Sequence, residues 1–250
     1  MTSPGYYFMD SPGNDLESIA GQVASGGNLI FFITGNGSIT NFPFVPTIKI
    51  ITTTKRYELL SEDMDVNAGA YLDGTSMDAL GQQMLDLTLR TASGEPTCGE
   101  RAGHAQVSIW RDWRQTNDSH LQKLLNAQAP SGKPLQINPK KPSASLELSI
   151  PVWQVGDHTT TDRMGLILPT SLCSGQIARM AAERLNGSNL GSNHGLSRFI
   201  SLTHTEGCGA SGGPSEDLYT RTMIGYLTHP LVVCGLLPEH GCERTHNDFY

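Results

Sequence analysis

Three cysteines occupy equivalent places in the last third of the chain. Cys173 ends the stretch PTSLC, Cys208 ends THTEGC and Cys242 ends PEHGC. They are separated by 35 and 34 residues, about one βα repeat each time. Each stretch follows an apolar run of strand character: MGLILP, SRFISLT and LVVCGLLP. In a parallel sheet the C-terminal strand ends share one edge, with neighbouring strands about 4.8 Å apart, and ligand sites of open α/β sheets form on that edge. Thiolates suit iron, iron–sulfur clusters and zinc. Three protein ligands leave one metal position open, as Lewis-acid catalysis requires. A single cysteine at a strand end is usually a small buried residue. The repeated placement is what favours a metal site.

Other reactive groups lie in the same loops. His204, Glu206, His240 and Glu243 are candidate acids, bases or extra ligands. The helix that follows Ser171 would offer free N–H groups to a substrate carboxylate. The two remaining cysteines read differently: Cys234 falls inside a strand and is expected in the core, and Cys98 falls in a loop as a free thiol. In TGNGS, Gly35, Asn36 and Gly37 follow a strand and resemble an anion-binding loop. The spacing is neither GxGxxG nor a P-loop, so a simple turn is the alternative. Asp63, Asp65 and Asn67 have the spacing of oxygen ligands, but the rest of a calcium loop is absent and a polar loop is expected. His104, His158 and His194 are isolated, and Trp110 and Trp113 read as packing residues.

The elements that must position these groups follow from periodicity. In the first ninety residues, YYFMD reads as a short strand, Leu16 to Ala24 as a helix stopped by Gly26-Gly27, NLIFFIT as a buried strand and TIKIITTT as a β-branched strand. Met77, Leu80, Met84 and Leu87 mark a helix over 76–90. Residues 91–161 change character. A loop, a mixed stretch and a short helix, SHLQKLLNAQ, lead into APSGKPLQINPKKPSAS, a proline- and serine-rich linker. From Asp162 strands and helices alternate again, ending in GCERTHNDFY, which reads as the start of a helix. The expected fold class is α/β, two βαβ-type units with mainly parallel sheets in Rossmann-like layering. Expected domains are 1–103, a mixed segment and linker over 104–161, and 162–250.

Composition narrows the function classes. The 250 residues are 38% hydrophobic and 16% charged, as in a soluble globular protein with a sizeable core. A net charge of −7 argues against a nucleic-acid surface. No apolar run approaches the ~20 residues that cross a bilayer, and the N-terminus lacks the pattern of a secretory signal. With five scattered cysteines, reduced thiols and a cytoplasmic setting are expected.

Longer stretches carry a resemblance. FMDSPGNDLESIAGQVASGGNLIFFITGNGS, VPTIKI, EDMDVNAG, PTSLCSGQIARMAAERLN, HTEGCG, IGYLTHP and EHGCE resemble the galactarate/altronate dehydratase family, which also includes a sulfolactate sulfo-lyase. The likeness covers most of residues 5–103 and 162–250. It implies an iron-dependent hydro-lyase that takes water from an aldonic or aldaric sugar acid and gives a 2-keto-3-deoxy acid. The family's cysteine motifs fall on Cys173, Cys208 and Cys242, as ligands of mononuclear Fe2+ or an iron–sulfur cluster, with zinc as the alternative. His204 and His240 would transfer protons with Glu206 behind them. Thr170 and Ser171 would bind the carboxylate, with Gly35, Asn36 and Gly37 as further substrate contacts. The family places a small capping domain first, then the cysteine-bearing domain, then the TGNG domain. Here the last two are reversed and the small domain is absent. The expectation is a rearranged or truncated member, served by a separate small capping subunit or forming a homo-oligomer. A non-catalytic fragment or binding subunit, and a structural zinc protein, are the competing expectations.

Overall fold

The computed structural model describes residues 5–111, 117–119, 121–128, 131, 147–208 and 212–250. Two units are distinguished: residues 1–111 together with 150–250, and residues 112–149. In the larger unit, α1 (Asp15–Ala24) is capped by Asn14, whose side chain accepts from the Leu16 and Glu17 amides. It leads into β1 (Ile30–Thr34), then β2 (Thr47–Ile51), α2 (Thr54–Leu59), β3 (Val66–Asn67), α3 (Met77–Ala92) and α4 (Cys98–Arg101). The second, smaller unit contributes one described helix, α5 (Leu121–Leu125). The larger unit resumes with the antiparallel pair β4 (Trp153–Val155) and β5 (His158–Thr160). It closes with β6 (Met164–Ile167), α6 (Gly175–Gly187), β7 (Arg198–Ser201), α7 (Pro214–Leu227) and β8 (Val232–Leu236).

The class is α/β with mainly parallel sheets. β1, β2 and β3 form one parallel sheet in that order. β6 lies between β7 and β8 in a second, again parallel. Central β6, with Met164, Gly165, Leu166 and Ile167 all buried, reads as a continuous apolar run because both its faces are covered. This order places the loops after β7 and β8 on either side of the loop after β6.

The two sheets share one core, sealed by α1 against α7. The rings of Phe42 and Phe44 meet edge to face, with centroids 5.0 Å apart, and both approach the Tyr226 ring. His229 sits edge-on to Phe44 and contacts the Gly27 carbonyl through Nε2 at 3.0 Å. Close approach of the helices needs Gly225, where an added Cβ would lie 2.2 Å from the Ala24 carbonyl oxygen.

Several expectations change here. YYFMD forms no strand: no strand among the described residues lies beside it, and Tyr6 and Phe8 are exposed. Aromatic composition alone cannot make a strand without a neighbouring edge. GCERTHNDFY does not start a helix. Its backbone is engaged elsewhere, with the Arg244 amide donating to Gly207 O and the Asn247 amide to a Glu239 carboxylate oxygen, and only a 3-10 turn forms at Asn247–Phe249. Cys234 is exposed rather than in the core, because β8 is an edge strand whose outer residues are uncovered. Asp65 is structural: its two oxygens accept from the amides of Lys49 and Cys98, both at 2.8 Å. Cys98 is a buried free thiol at the start of α4. Trp113 and most of the proline-rich linker lie outside the described residues.

Candidate metal centre

The loops after β6, β7 and β8 bring the three predicted thiols together at the sheet edge. Cys173 Sγ lies 3.8 Å from Cys208 Sγ, which lies 3.7 Å from Cys242 Sγ. The thiols of Cys173 and Cys242 and a ring nitrogen of His240 all lie within 4.8 Å of one another. All four residues are exposed. Crowding raises the Cys242 pKa above the usual thiol value, chiefly through its hydrogen bond with the Cys173 thiol.

Local folding explains the convergence. Cys173 sits in the 3-10 turn Leu172–Ser174 that opens into α6, and the Leu172 amide donates to Glu206 O at 3.0 Å, tying the first loop to the second. Gly207 has φ of +87°, and an added Cβ would fall 2.1 Å from the Thr170 carbonyl oxygen. Only glycine lets these two loops cross so closely. A single bridge joins Cys208 and Glu243, and the Arg244 amide donates to Gly207 O, tying the second loop to the third.

Glu243, one of the candidate acids, bases or extra ligands, closes this set of ties. It is buried, and its carboxylate accepts from Ser171 Oγ at 2.6 Å, the His240 amide at 2.7 Å and the Gly241 amide at 2.6 Å. Burial would raise this carboxyl. The hydrogen bonds from Ser171 and from backbone amides outweigh it and hold the pKa at about 2. The glutamate directly after the cysteine was the available signal, but its partner Ser171 is 72 residues away.

The other expected site residues separate by exposure. His204 is buried, with Nε2 against Pro169 O at 2.8 Å and Nδ1 accepting from the Glu206 amide at 3.2 Å. Burial lowers its pKa. Both ring nitrogens are engaged with backbone, so the ring holds its loop. Thr170 and Ser171 are also buried. The Thr170 hydroxyl lies within hydrogen-bonding reach of Pro238 O and Asn247 Oδ1, and Ser171 bonds Glu243. Both hydroxyls tie loops together. Glu206 forms a paired contact with Arg111, at 2.9 Å from Nε and 2.6 Å from Nη2, and also accepts from Thr205 Oγ1. Gly35 and Asn36 are exposed, whereas the amides of Gly37 and Ser38 turn inward to Thr34 Oγ1 at 3.1 and 3.3 Å.

Two cavities, of about 600 and 650 Å3, lie between the two sheet systems, one lined by Thr91, Asp162 and Arg198, the other by Asn41, His104, Arg179 and Thr203. Neither is lined by the thiols. No helix among the described residues is long and apolar enough to cross a membrane.

The donor set passes the test of fit for a soft or borderline metal. Metal–sulfur bonds of about 2.3 Å at tetrahedral angles place thiolates about 3.8 Å apart, as between Cys173 and Cys208.

Comparison with known proteins matches two separate stretches of the chain. A family model described as D-galactarate/altronate dehydratase, C-terminal, matches residues 1–115. One described as D-galactarate dehydratase/altronate hydrolase, second domain, matches residues 163–249 and so includes all three thiols. A (2R)-sulfolactate sulfo-lyase subunit beta from Chromohalobacter salexigens is 34% identical over 44% of this chain and 28% of its own length. An altronate dehydratase from Escherichia coli is 29% identical over 44% of this chain and 22% of its own. A galactarate dehydratase (L-threo-forming) from the same species is 30% identical over 44% and 21%. The matches thus span between 21% and 28% of the length of these relatives. With both parts matched by models of one family, the chain belongs to the galactarate/altronate dehydratase family.

Proposed function

We propose that the chain supplies the metal-bearing part of a hydro-lyase that removes water from an aldonic or aldaric sugar acid and yields a 2-keto-3-deoxy acid. The observation that carries this reading is the spacing of the three thiols, 3.8 and 3.7 Å along Cys173, Cys208 and Cys242. Thiols this close suit a single ion better than a cluster that spreads its cysteines over separate irons. The ion in this reading is Fe2+, with zinc as the alternative. When bound, it would supply Lewis-acid help to the departing hydroxyl.

The residues around it have distinct tasks. Exposed His240, beside two of the thiols, takes up the proton from the carbon next to the substrate carboxylate. Its backbone is fixed by Glu243, so the ring pivots from a held point. Ser171, Thr170 and His204 hold the loops rather than touch the substrate. Glu206, paired with Arg111, stiffens the middle loop. Gly35 and Asn36 are the exposed part of their loop and the part able to meet a substrate.

The thiols and His240 are open to solvent, and dehydration favours an enclosed site. A covering element from a separate small subunit or a second copy is therefore part of the proposal. The related sulfo-lyase chain, described as a subunit beta, supports it. A cytoplasmic setting fits five cysteines with no disulfide. The same exposure favours a second reading, in which the chain is a binding subunit that is inactive alone. The test is an ultraviolet assay for 2-keto-3-deoxy acid on anaerobically iron-loaded chain, across a panel of aldonic and aldaric acids, with and without a candidate capping subunit. Product formation that disappears in Cys208→Ser supports the lyase. Absence of product from every acid in both arrangements overturns it.

A further inference from the structure

We infer that Glu243 is the positioning residue that sets the spacing of the three thiols before any metal arrives. The inference rests on the metal reading above for its purpose, but its geometry stands without it. Three loops separated by 35 and 34 residues must converge, and Glu243 touches all three. Its Oε1 accepts from Ser171 Oγ in the first loop, two residues before Cys173, and from the His240 amide in the third. Its Oε2 accepts from the Gly241 amide. Its backbone bridges Cys208 in the second loop.

A carboxylate suits this place because it only accepts, and all three partners donate. An amide of the same size would turn an NH2 toward one of those donors. A shorter acid could not span from the third loop to Ser171 without moving the backbone that carries Cys242. Glu243 has no free approach to solvent, so it acts on the thiols through the loops and does not ligate.

The test compares the unaltered chain with Glu243→Gln and with the milder Ser171→Ala, using two probes of the thiols. Co2+ reports the metal site through its thiolate charge-transfer and ligand-field absorption. Arsenite reports thiol spacing without a transition metal: As(OH)3 and three thiols give three As–S bonds and three waters, with no change of oxidation state. Glu243→Gln is expected to weaken both by about 10- to 100-fold, the range for loss of an outer-shell partner, and to shift the ligand-field bands at saturating Co2+. Ser171→Ala, which removes only one of the three donors to Glu243, is expected to show a smaller loss in the same direction. Unchanged arsenite affinity in both variants overturns the inference, as does an unshifted cobalt spectrum in Glu243→Gln. If the unaltered chain takes arsenite but not Co2+, the metal reading fails, and the arsenite comparison alone decides the role of Glu243.

Discussion

The Tyr226 hydroxyl on α7 donates to the Ala20 carbonyl on α1 at 3.1 Å, across 206 residues of sequence. The ring is wholly buried among Phe42 and Phe44, so this bond fastens the two sheet systems at their centre. Tyr226→Phe keeps the packing and leaves the carbonyl without that donor. A loss of about 0.5–1.5 kcal/mol is expected, the net worth of one intramolecular hydrogen bond, read from urea unfolding. A change below a few tenths of a kcal/mol would show that the bond contributes nothing to the join.

Lys49 on β2 is fully buried, and its amine has no hydrogen-bond partner among the described residues. Burial lowers its pKa despite the opposing pull of Asp65. Lys49→Met retains the stem and removes the buried amine, so a gain of about 1–3 kcal/mol is expected from urea unfolding. Destabilisation would mean that the amine is held by a partner that this reading lacks.

His229 gives the fold a pH dependence of definite sign. Burial lowers its pKa below the ordinary 6.5, so the unfolded chain binds the proton more readily than the folded one. Its contribution is complete above pH 6.5 and declines as pH falls through 6.5 toward the lowered folded value. His204, shifted the same way, adds to that slope. The thermal midpoint should therefore fall on acidification across this window, and His229→Gln should make the slope shallower. An unchanged slope would contradict the assignment.

Gly207 carries the crossing of the first two loops. Gly207→Ala strains a backbone at φ +87° and drives Cβ toward the Thr170 carbonyl, so the thiols should no longer converge. The expected result is a loss of metal binding that exceeds the loss of global stability, seen by comparing Co2+ affinity with the thermal midpoint. Metal affinity equal to that of the unaltered chain would show that the crossing is not needed.

How much of this was legible in sequence depended on the range of the interaction. The run MGLI and the alternation after it identified β6, α6, β7, α7 and β8, because those signals are local. Equal placement of the three cysteines after those strands then predicted their meeting. Exposure of Cys234 was not legible, since strand composition does not say which strand forms the edge. The contact of His204 with Pro169 spans 35 residues and has no local signal. The part played by Glu243 was hidden for the same reason.

The measurement that tests the central claim most directly is the metal content of anaerobically iron-reconstituted chain and its serine variants. About one iron per chain without acid-labile sulfide is predicted, as for a single ion held by three thiolates. It should be lost in Cys173→Ser, Cys208→Ser and Cys242→Ser and retained in Cys98→Ser and Cys234→Ser. Iron that survives all three of the first substitutions, or that arrives with stoichiometric sulfide, would contradict the account.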